Sequence, residues 1–161
     1  MKPRRLRRFI RLQPSRFWRL LRRNRGALVL TVVALILLTL TSRICVAYFL
    51  ASDEAGDGVV YARLATNLLD HGVYSSDEKA PFTPTFFRMP GYPIFIAGVY
   101  DVFGEGNNTA VRITQAVLDT ATCIFAAMIA FLWTTGRRRR RAAFWAYMLA
   151  SICPFIVIYA A

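Results

Sequence analysis

The stretch that decides the fold is residues 52–93, with the sequence SDEAGDGVVYARLATNLLDHGVYSSDEKAPFTPTFFRMPGYP. It is the only long polar segment that is not simply basic, and it holds most of the acids, most of the prolines and the single histidine. On each side lies a hydrophobic run long enough to cross a bilayer. Because the rest of the chain has the pattern of anchoring segments, we expect any chemistry to lie within this stretch.

The composition favours a membrane protein over a soluble domain. The chain has 161 residues, a hydrophobic fraction of 56% and a formal net charge of +12. Hydrophobic blocks that alternate with charged blocks account for both values. The three cysteines lie in hydrophobic runs without Cys-x-x-Cys spacing, which indicates neither a disulfide framework nor a zinc site.

Three hydrophobic runs are predicted to be transmembrane helices, at residues 27–50, 109–135 and 142–161. The first has an alternative interpretation as a signal peptide, since small residues follow it around Cys45 and Ala47. The basic region before it is too long and its apolar core too extended for that alternative to be preferred. The predicted fold is therefore an all-α membrane protein with three transmembrane helices.

The distribution of arginine predicts the orientation. Just over half of the 21 Lys and Arg lie in residues 1–25, and residues 136–141 contain five consecutive arginines. The loop at residues 51–107 is mainly acidic. The positive-inside rule places both basic segments in the cytoplasm and the loop outside, which is the periplasmic side of the bacterial inner membrane.

The basic tail at residues 1–25 alternates arginines with bulky apolar residues. Two short amphipathic helices on the membrane surface would explain the spacing, and a disordered basic tail would satisfy the charge rule equally well. Beside membrane spans, the expected partners of this tail are anionic lipids. We expect no nucleic-acid partner, because no stacking aromatics or known binding motif accompany the charge.

The external loop is predicted to contain two surface-lying helices. Residues 57–71 have apolar residues on one face, and Gly72 is a plausible stop. His71 then falls in the last turn, where a helix-end role is preferred over a catalytic one. The prolines at 90 and 93 are expected to exclude a regular helix across Gly91 and Tyr92, so the second helix is predicted at residues 94–103.

Two charged residues lie inside the predicted spans. Arg43 is seven residues inward from the outer end of the first, and Asp119 is seven residues inward from Arg112 in the second. With a rise of about 1.5 Å per residue, both lie about 10 Å below the outer ends of their helices. We predict an intramembrane ion pair between them; the alternative is that each meets a different helix or a water-filled cavity.

The candidates for chemistry follow the first span. They are the acids Asp53, Glu54 and Asp57, then Tyr61 one turn later, and Arg88 before the Pro-Gly-Tyr-Pro segment. A carboxylate at the membrane surface can act as a general base, and an arginine can hold a phosphate by paired hydrogen bonds. Asp57 is also a good N-cap for the helix that it starts, so its spacing alone does not establish catalysis.

Four short motifs carry a resemblance to a known family. They are DGVVYARLA at 57–65, NLL at 67–69, GVY at 72–74 and RMPGYPIF at 88–95. Together they resemble the first external loop of membrane glycosyltransferases of the GT-C type, in the branch similar to protein O-mannosyltransferases and lipid A aminoarabinose transferase. Residues 111–121, with Gln115 and Asp119, resemble the second span of that family.

The resemblance implies transfer of a sugar from a polyprenyl-phosphate donor to an acceptor at the outer face. Asp57 matches the catalytic aspartate, implied to be the general base, and Arg88 matches the position implied to contact the donor phosphate. Tyr61 and Tyr92 are supporting residues. Many relatives have an acid directly after the aspartate, where this chain has Gly58, so Asp53 and Glu54 remain an alternative working pair. No metal or other cofactor is expected for this branch.

The length of the chain bears on these expectations. Family members have several hundred residues, and three spans are too few to enclose a polyprenyl chain and an acceptor. We therefore expect either the N-terminal part of a GT-C multi-span fold or an inactive product that keeps the motifs. The alternative function is a small non-enzymatic membrane scaffold or assembly protein. The sequence does not identify the sugar, and the expected acceptor is a glycan, a lipid or a protein.

Overall fold

The computed structural model describes residues 25–49 and 56–153, and these residues are all-α. They form five α-helices and a 3-10 turn, with no strand in the described ranges. The elements are α1 Arg25–Phe49, α2 Asp57–His71, α3 Gly91–Phe103, α4 Asn108–Trp133, the turn Gly136–Arg138 and α5 Arg139–Ile152. The predicted all-α class is confirmed for this part of the chain.

Within residues 25–49 and 56–153, two helices are long and apolar enough to span a membrane. α1 has 25 residues and α4 has 26, with mean hydropathies of 2.3 and 1.9 in their most apolar windows. At about 1.5 Å per residue, each is longer than the roughly 30 Å hydrocarbon core of a bilayer. Only 17% of the apolar window of α4 is buried within the chain, so most of its apolar surface needs another apolar environment.

The predicted third span falls partly within α5. This helix begins at Arg139, three residues before the predicted start, and takes up the last three arginines of the basic run. Arg139 lies over the ring of Phe131 and donates from Nε to the Phe131 carbonyl at 3.1 Å. Residues 154–161 lie outside the described residues, so the length of the third span stays a prediction.

The chain divides into two compact units, Met1–Leu38 and Thr39–Ala161. The described part of the first unit is the N-terminal portion of α1. The second unit contains the last part of α1 and the other four α-helices. All the candidate site residues that the structure describes belong to this second unit.

α2 has the bounds that the sequence predicts. It runs from Asp57 to His71, and Gly72 ends it in the left-handed conformation with φ of 66°. The N-cap, however, is Gly56 with φ of 63°, and Asp57 is the first helical residue. The interpretation of Asp57 as the N-cap is therefore wrong. A glycine accepts this positive φ without strain, which leaves the Asp57 carboxylate free for another contact.

The predicted exclusion of a helix across the Pro-Gly-Tyr-Pro segment is also wrong. α3 begins at Gly91, with Pro90 as its N-cap, and Pro93 is its third residue. The amides of a first helical turn have no intrahelical acceptor, so a proline at this position loses no hydrogen bond. The Ile94 amide then donates to the Pro90 carbonyl at 3.0 Å, which closes the first turn.

The two loop helices and the start of α4 share a small apolar core. Its buried residues are Ala65 from α2, Ile96, Ala97, Val99 and Tyr100 from α3, and Val111 from α4. Tyr61, Leu68, Phe95 and Ala110 pack around them. This core fixes α2 against α3, and both against the first turns of α4.

Asn67 holds the irregular segment between α2 and α3. Its side chain is buried, and Nδ2 donates to the carbonyls of Ser75 at 2.7 Å and Asp77 at 2.9 Å. The Asp77 carboxylate accepts from the Thr83 amide at 2.7 Å, from the Thr83 hydroxyl at 2.6 Å and from the Ser75 hydroxyl at 3.0 Å. These bonds join the segment after α2 to the C-terminal half of that helix and to itself.

Candidate functional site

The side chains of Asp57 and Arg88 form an ion pair. Arg88 donates from Nη2 to Oδ1 of Asp57. Asp57 stands at the first position of α2, and Arg88 precedes α3 by three residues. The two residues that the resemblance assigns to the acceptor and the donor phosphate therefore share one site. The negative carboxylate also lies at the favourable, positive end of the α2 dipole.

Aromatic rings surround the Arg88 guanidinium. Its central carbon lies 5.7 Å from the ring centroid of Tyr61 and 5.0 Å from that of Phe87. Tyr61 in turn meets Tyr92 edge to face, with ring centroids 5.2 Å apart. Cation–π contacts of this kind restrict the guanidinium without using its N–H donors. The rings therefore hold the guanidinium without occupying the N–H donors that Asp57 leaves unused.

The backbone of Arg88 is fixed by Tyr74. The Tyr74 hydroxyl donates to the Arg88 carbonyl at 3.1 Å, and the Thr85 amide donates to the Tyr74 carbonyl at 2.9 Å. Partial burial, and then the proximity of Tyr61, raises the pKa of Tyr74 above its ordinary value. The shift favours the protonated phenol, which is the form that donates this hydrogen bond.

Gln115 links the site to α4. Its Nε2 donates to the Tyr92 hydroxyl at 3.0 Å, and Tyr92 also stacks on Phe95 within α3. Gln115 is the eighth residue of α4, so the contact lies about 10 Å along that helix from its first residue. The first turn of α3 is thereby held beside α4, about two helical turns after the first residue of that helix.

The two charges differ in their access to solvent. The Asp57 side chain is 64% exposed and the Arg88 side chain 29% exposed. Arg88 Nε is buried and has no hydrogen-bond partner among the described residues. An arginine with an unused donor can donate to a further oxyanion once that donor is uncovered, and an exposed carboxylate can accept a proton from an incoming group.

A second ion pair lies among the apolar helices. Arg43 of α1 pairs with Asp119 of α4, as predicted from their equal depth, and Arg43 is only 2% exposed. Arg43 Nη2 also donates to Cys123 Sγ at 3.4 Å. Tyr147 of α5 donates to the Thr39 hydroxyl of α1 at 2.9 Å. We call Thr39, Arg43, Asp119, Cys123 and Tyr147 the polar layer, because they join three helices through polar contacts.

The structure places some of the other residues singled out in the sequence and leaves others undescribed. Asp53 and Glu54 lie outside the described residues, so their role as an alternative acid pair stays a prediction. Tyr61 and Tyr92 lie next to Arg88, as described above. His71 ends α2 and stacks on Phe82 with ring centroids 4.1 Å apart.

Three residues that sequence reasoning left without a role contribute to the site. Phe87 and Tyr74 contact Arg88, and Gln115 holds Tyr92. Tyr74 and Gln115 belong to the motifs that carry the resemblance, which was the signal available for them. Phe87 had no comparable signal, because an aromatic beside an arginine in sequence does not show where either ring points.

The described residues contain no group of three His, Cys, Asp or Glu side chains placed to hold a metal ion. No protein-family model, curated protein or solved structure matches this chain.

Proposed function

We propose that this chain carries the donor-binding and acceptor-activating side chains of a membrane glycosyltransferase. The enzyme transfers a sugar from a polyprenyl-phosphate donor to an acceptor at the outer face of the bacterial inner membrane. The observation that supports the proposal best is the meeting of Asp57 with Arg88. This reaction needs a base and a phosphate-binding cation within reach of one sugar carbon, so both groups must belong to one site.

The chemistry assigns one step to each residue. Asp57 accepts the proton of the acceptor hydroxyl or amine while that atom attacks the anomeric carbon of the sugar. The bond from this carbon to the phosphate oxygen breaks, and the polyprenyl phosphate leaves with the electron pair. Arg88 stabilises the charge that develops on the departing phosphate. The proton, the sugar and the leaving group are then all accounted for.

In this proposal, the Asp57–Arg88 ion pair is the arrangement of the site without a bound donor. A phosphate offers Arg88 more negative charge than one carboxylate, and its oxygens suit the guanidinium fork. When the donor phosphate replaces the Asp57 carboxylate as the partner of Arg88, the carboxylate becomes free to bind the acceptor proton. Tyr61 and Phe87 keep the guanidinium in place during this exchange, because it lies over their rings and these contacts use none of its N–H donors.

The polar layer has a structural role in this proposal. In a membrane, a buried arginine needs a counter-charge, and the Arg43–Asp119 pair supplies it while fixing α1 against α4. The start of α3 contacts α4 at Gln115, one helical turn from Asp119. The layer therefore sets the position of the helix on which the site rests.

The test of the function is sugar transfer by membranes that contain the complete gene product. The membranes are incubated with polyprenyl-phosphate donors carrying labelled sugars, and the label is followed into glycan, lipid and protein. We expect label to leave one of the donors and to appear in an acceptor. If all the label stays on every donor while the protein is inserted and stable, the proposed function is wrong, and the alternative of a non-enzymatic scaffold is favoured.

A further inference from the structure

Three large apolar side chains next to Arg88 are almost fully exposed. Phe86 is 96% exposed, Phe87 82% and Met89 87%. Together with Arg88 they make up residues 86–89, which we call the apolar tip. Three exposed apolar side chains within four consecutive residues differ from the scattered apolar residues that a soluble surface carries singly.

Hydrogen bonds hold the apolar tip in its exposed position. The Tyr74 hydroxyl binds the Arg88 carbonyl, and the Thr85 amide binds the Tyr74 carbonyl. The Phe87 amide donates to Thr85 Oγ1 at 3.3 Å. These contacts, together with the Asn67 and Asp77 bonds described above, come from the folded loop itself. The exposure of Phe86, Phe87 and Met89 is thus built into the conformation.

The Tyr92–Gln115 contact gives the level along α4 of the segment that follows the apolar tip. Tyr92 comes three residues after Met89, and Gln115 is about 10 Å along α4 from its first residue. The full helix measures about 39 Å, against roughly 30 Å of hydrocarbon in a bilayer. When the first residues of α4 project from the outer surface, Gln115 lies near the boundary between headgroups and hydrocarbon.

We propose that the apolar tip inserts into the outer leaflet of the membrane, with Arg88 at the depth of the lipid phosphates. The proposal rests on the orientation given under the proposed function. Phe86, Phe87 and Met89 supply the apolar contact, and the guanidinium between them suits the phosphate layer, where such side chains direct their charge. A lipid-linked donor would then present its phosphate to Arg88 at the level where it already lies, without being lifted out of the bilayer.

The composition of the tip favours lipid over a protein partner. A cation flanked on both sides by apolar side chains matches the chemical gradient of a bilayer interface. Three residues after the tip, Tyr92 contacts α4 at Gln115, and most of the apolar surface of α4 is not covered within the chain. The lipid bilayer can therefore cover both the apolar tip and the apolar surface of α4. A protein partner would have to fit these two surfaces separately.

The experiment measures the environment of each position by spin-label accessibility. Cys45 and Cys153 are replaced by alanine, and the buried Cys123 is kept, with labelling of this parent protein as the background. Phe86→Cys and Met89→Cys report on the tip. Lys79→Cys, an exposed position in the same loop, is the matched control. The full chain is reconstituted in vesicles of phosphatidylethanolamine and phosphatidylglycerol, without any donor.

Oxygen concentrates in lipid and a nickel chelate stays in water, so their relative effects on the label report its depth. We expect oxygen to relax the labels at 86 and 89 more strongly than the nickel chelate does, with the reverse at 79. If positions 86 and 89 match position 79, the tip lies in water and the proposal is overturned. If both reagents fail to reach 86 and 89, protein covers the tip and the proposal is also overturned.

The outcome is independent of catalysis. Insertion is measured without donor or acceptor, and none of the labelled positions is assigned a chemical step. A protein that transfers sugar with its tip in water would disprove only the insertion. A protein that inserts its tip but transfers no sugar would disprove only the proposed function.

Discussion

Asp57 and Arg88 are 31 positions apart in the sequence, and their side chains form an ion pair where α2 begins. The contact depends on three local features. Gly56 takes the cap position, the Asn67 and Asp77 bonds hold the segment after α2, and Tyr74 fixes the Arg88 carbonyl. The pair is therefore a product of the folded loop, and each of these features can be tested by substitution.

Arg88 is expected to determine donor affinity. Arg88→Ala should weaken the capture of a photoreactive polyprenyl phosphate by about 10- to 100-fold, because a hydrogen bond to a charged group contributes roughly 1.5–3 kcal/mol. Arg88→Lys should restore only part of the affinity, since an ammonium lacks the planar fork. The measurement is cross-linking yield against donor concentration in intact membranes.

The matched control for Arg88 is Arg63→Ala. Arg63 lies on α2 and pairs with Glu78 at 2.6 Å, and its side chain is 32% exposed, close to the value for Arg88. This variant removes the same charge and the same type of ion pair from the same loop. Equal loss of donor capture in both variants would mean that donor binding depends on the net charge of the loop. That result would count against a specific role for Arg88.

The Arg43–Asp119 pair is expected to stabilise the helix packing. Removal of one partner leaves a buried charge, so Arg43→Met or Asp119→Leu should each lower the free energy of unfolding by about 3–5 kcal/mol. The double variant should lose much less than the sum, because it buries neither charge. Unfolding in mixed detergent micelles measures all three. Strictly additive losses would show that the two side chains act independently.

The sequence was sufficient for features that depend on local rules. The bounds of α2 follow from apolar spacing and Gly72, and the Arg43–Asp119 pair follows from the rise per residue in two helices of opposite direction. The start of α3 differs from the prediction because a proline breaks a helix only beyond its first turn, and Pro93 falls in the first turn. The Tyr92–Gln115 contact depends on how α3 packs beside α4, which no local rule specifies.

Asn67 is expected to maintain the loop that carries Arg88. Asn67→Ala removes the donors to the Ser75 and Asp77 carbonyls, and should destabilise the loop by about 1–3 kcal/mol. Hydrogen exchange at the Thr85 amide, which donates to the Tyr74 carbonyl, reports this loss. Asp70→Ala, an exposed change on the same helix, is the control. Unchanged protection at Thr85 in Asn67→Ala would show that the loop does not depend on this side chain.

The Asp77 network is expected to depend on pH. Hydrogen bonds from the side chain and amide of Thr83, and from Ser75, lower the pKa of Asp77. A carboxyl with a lowered folded pKa stabilises the folded state above the pKa of the unfolded chain, about 3.9, and loses this contribution as the pH falls through the folded value. The carboxyl carbon shift of Asp77 should therefore titrate below that of a free aspartate.

Thr83→Val tests the cause of this shift. The variant removes the hydroxyl donor, which is the largest contribution, and keeps the amide donor. The pKa of Asp77 should rise toward its ordinary value but remain below it. No change in the titration midpoint would mean that the Thr83 hydroxyl does not stabilise the carboxylate.

The central claim is that Asp57 acts as the base in sugar transfer, and the most direct test is the rate with Asp57→Asn in the complete gene product. General-base catalysis contributes about 10²- to 10⁴-fold, so the rate at saturating donor should fall by that factor while insertion and tip accessibility stay the same. Glu78→Gln, which removes the carboxylate of the matched Arg63–Glu78 pair, should keep the full rate. Transfer by Asp57→Asn at the rate of the unchanged protein would contradict the account.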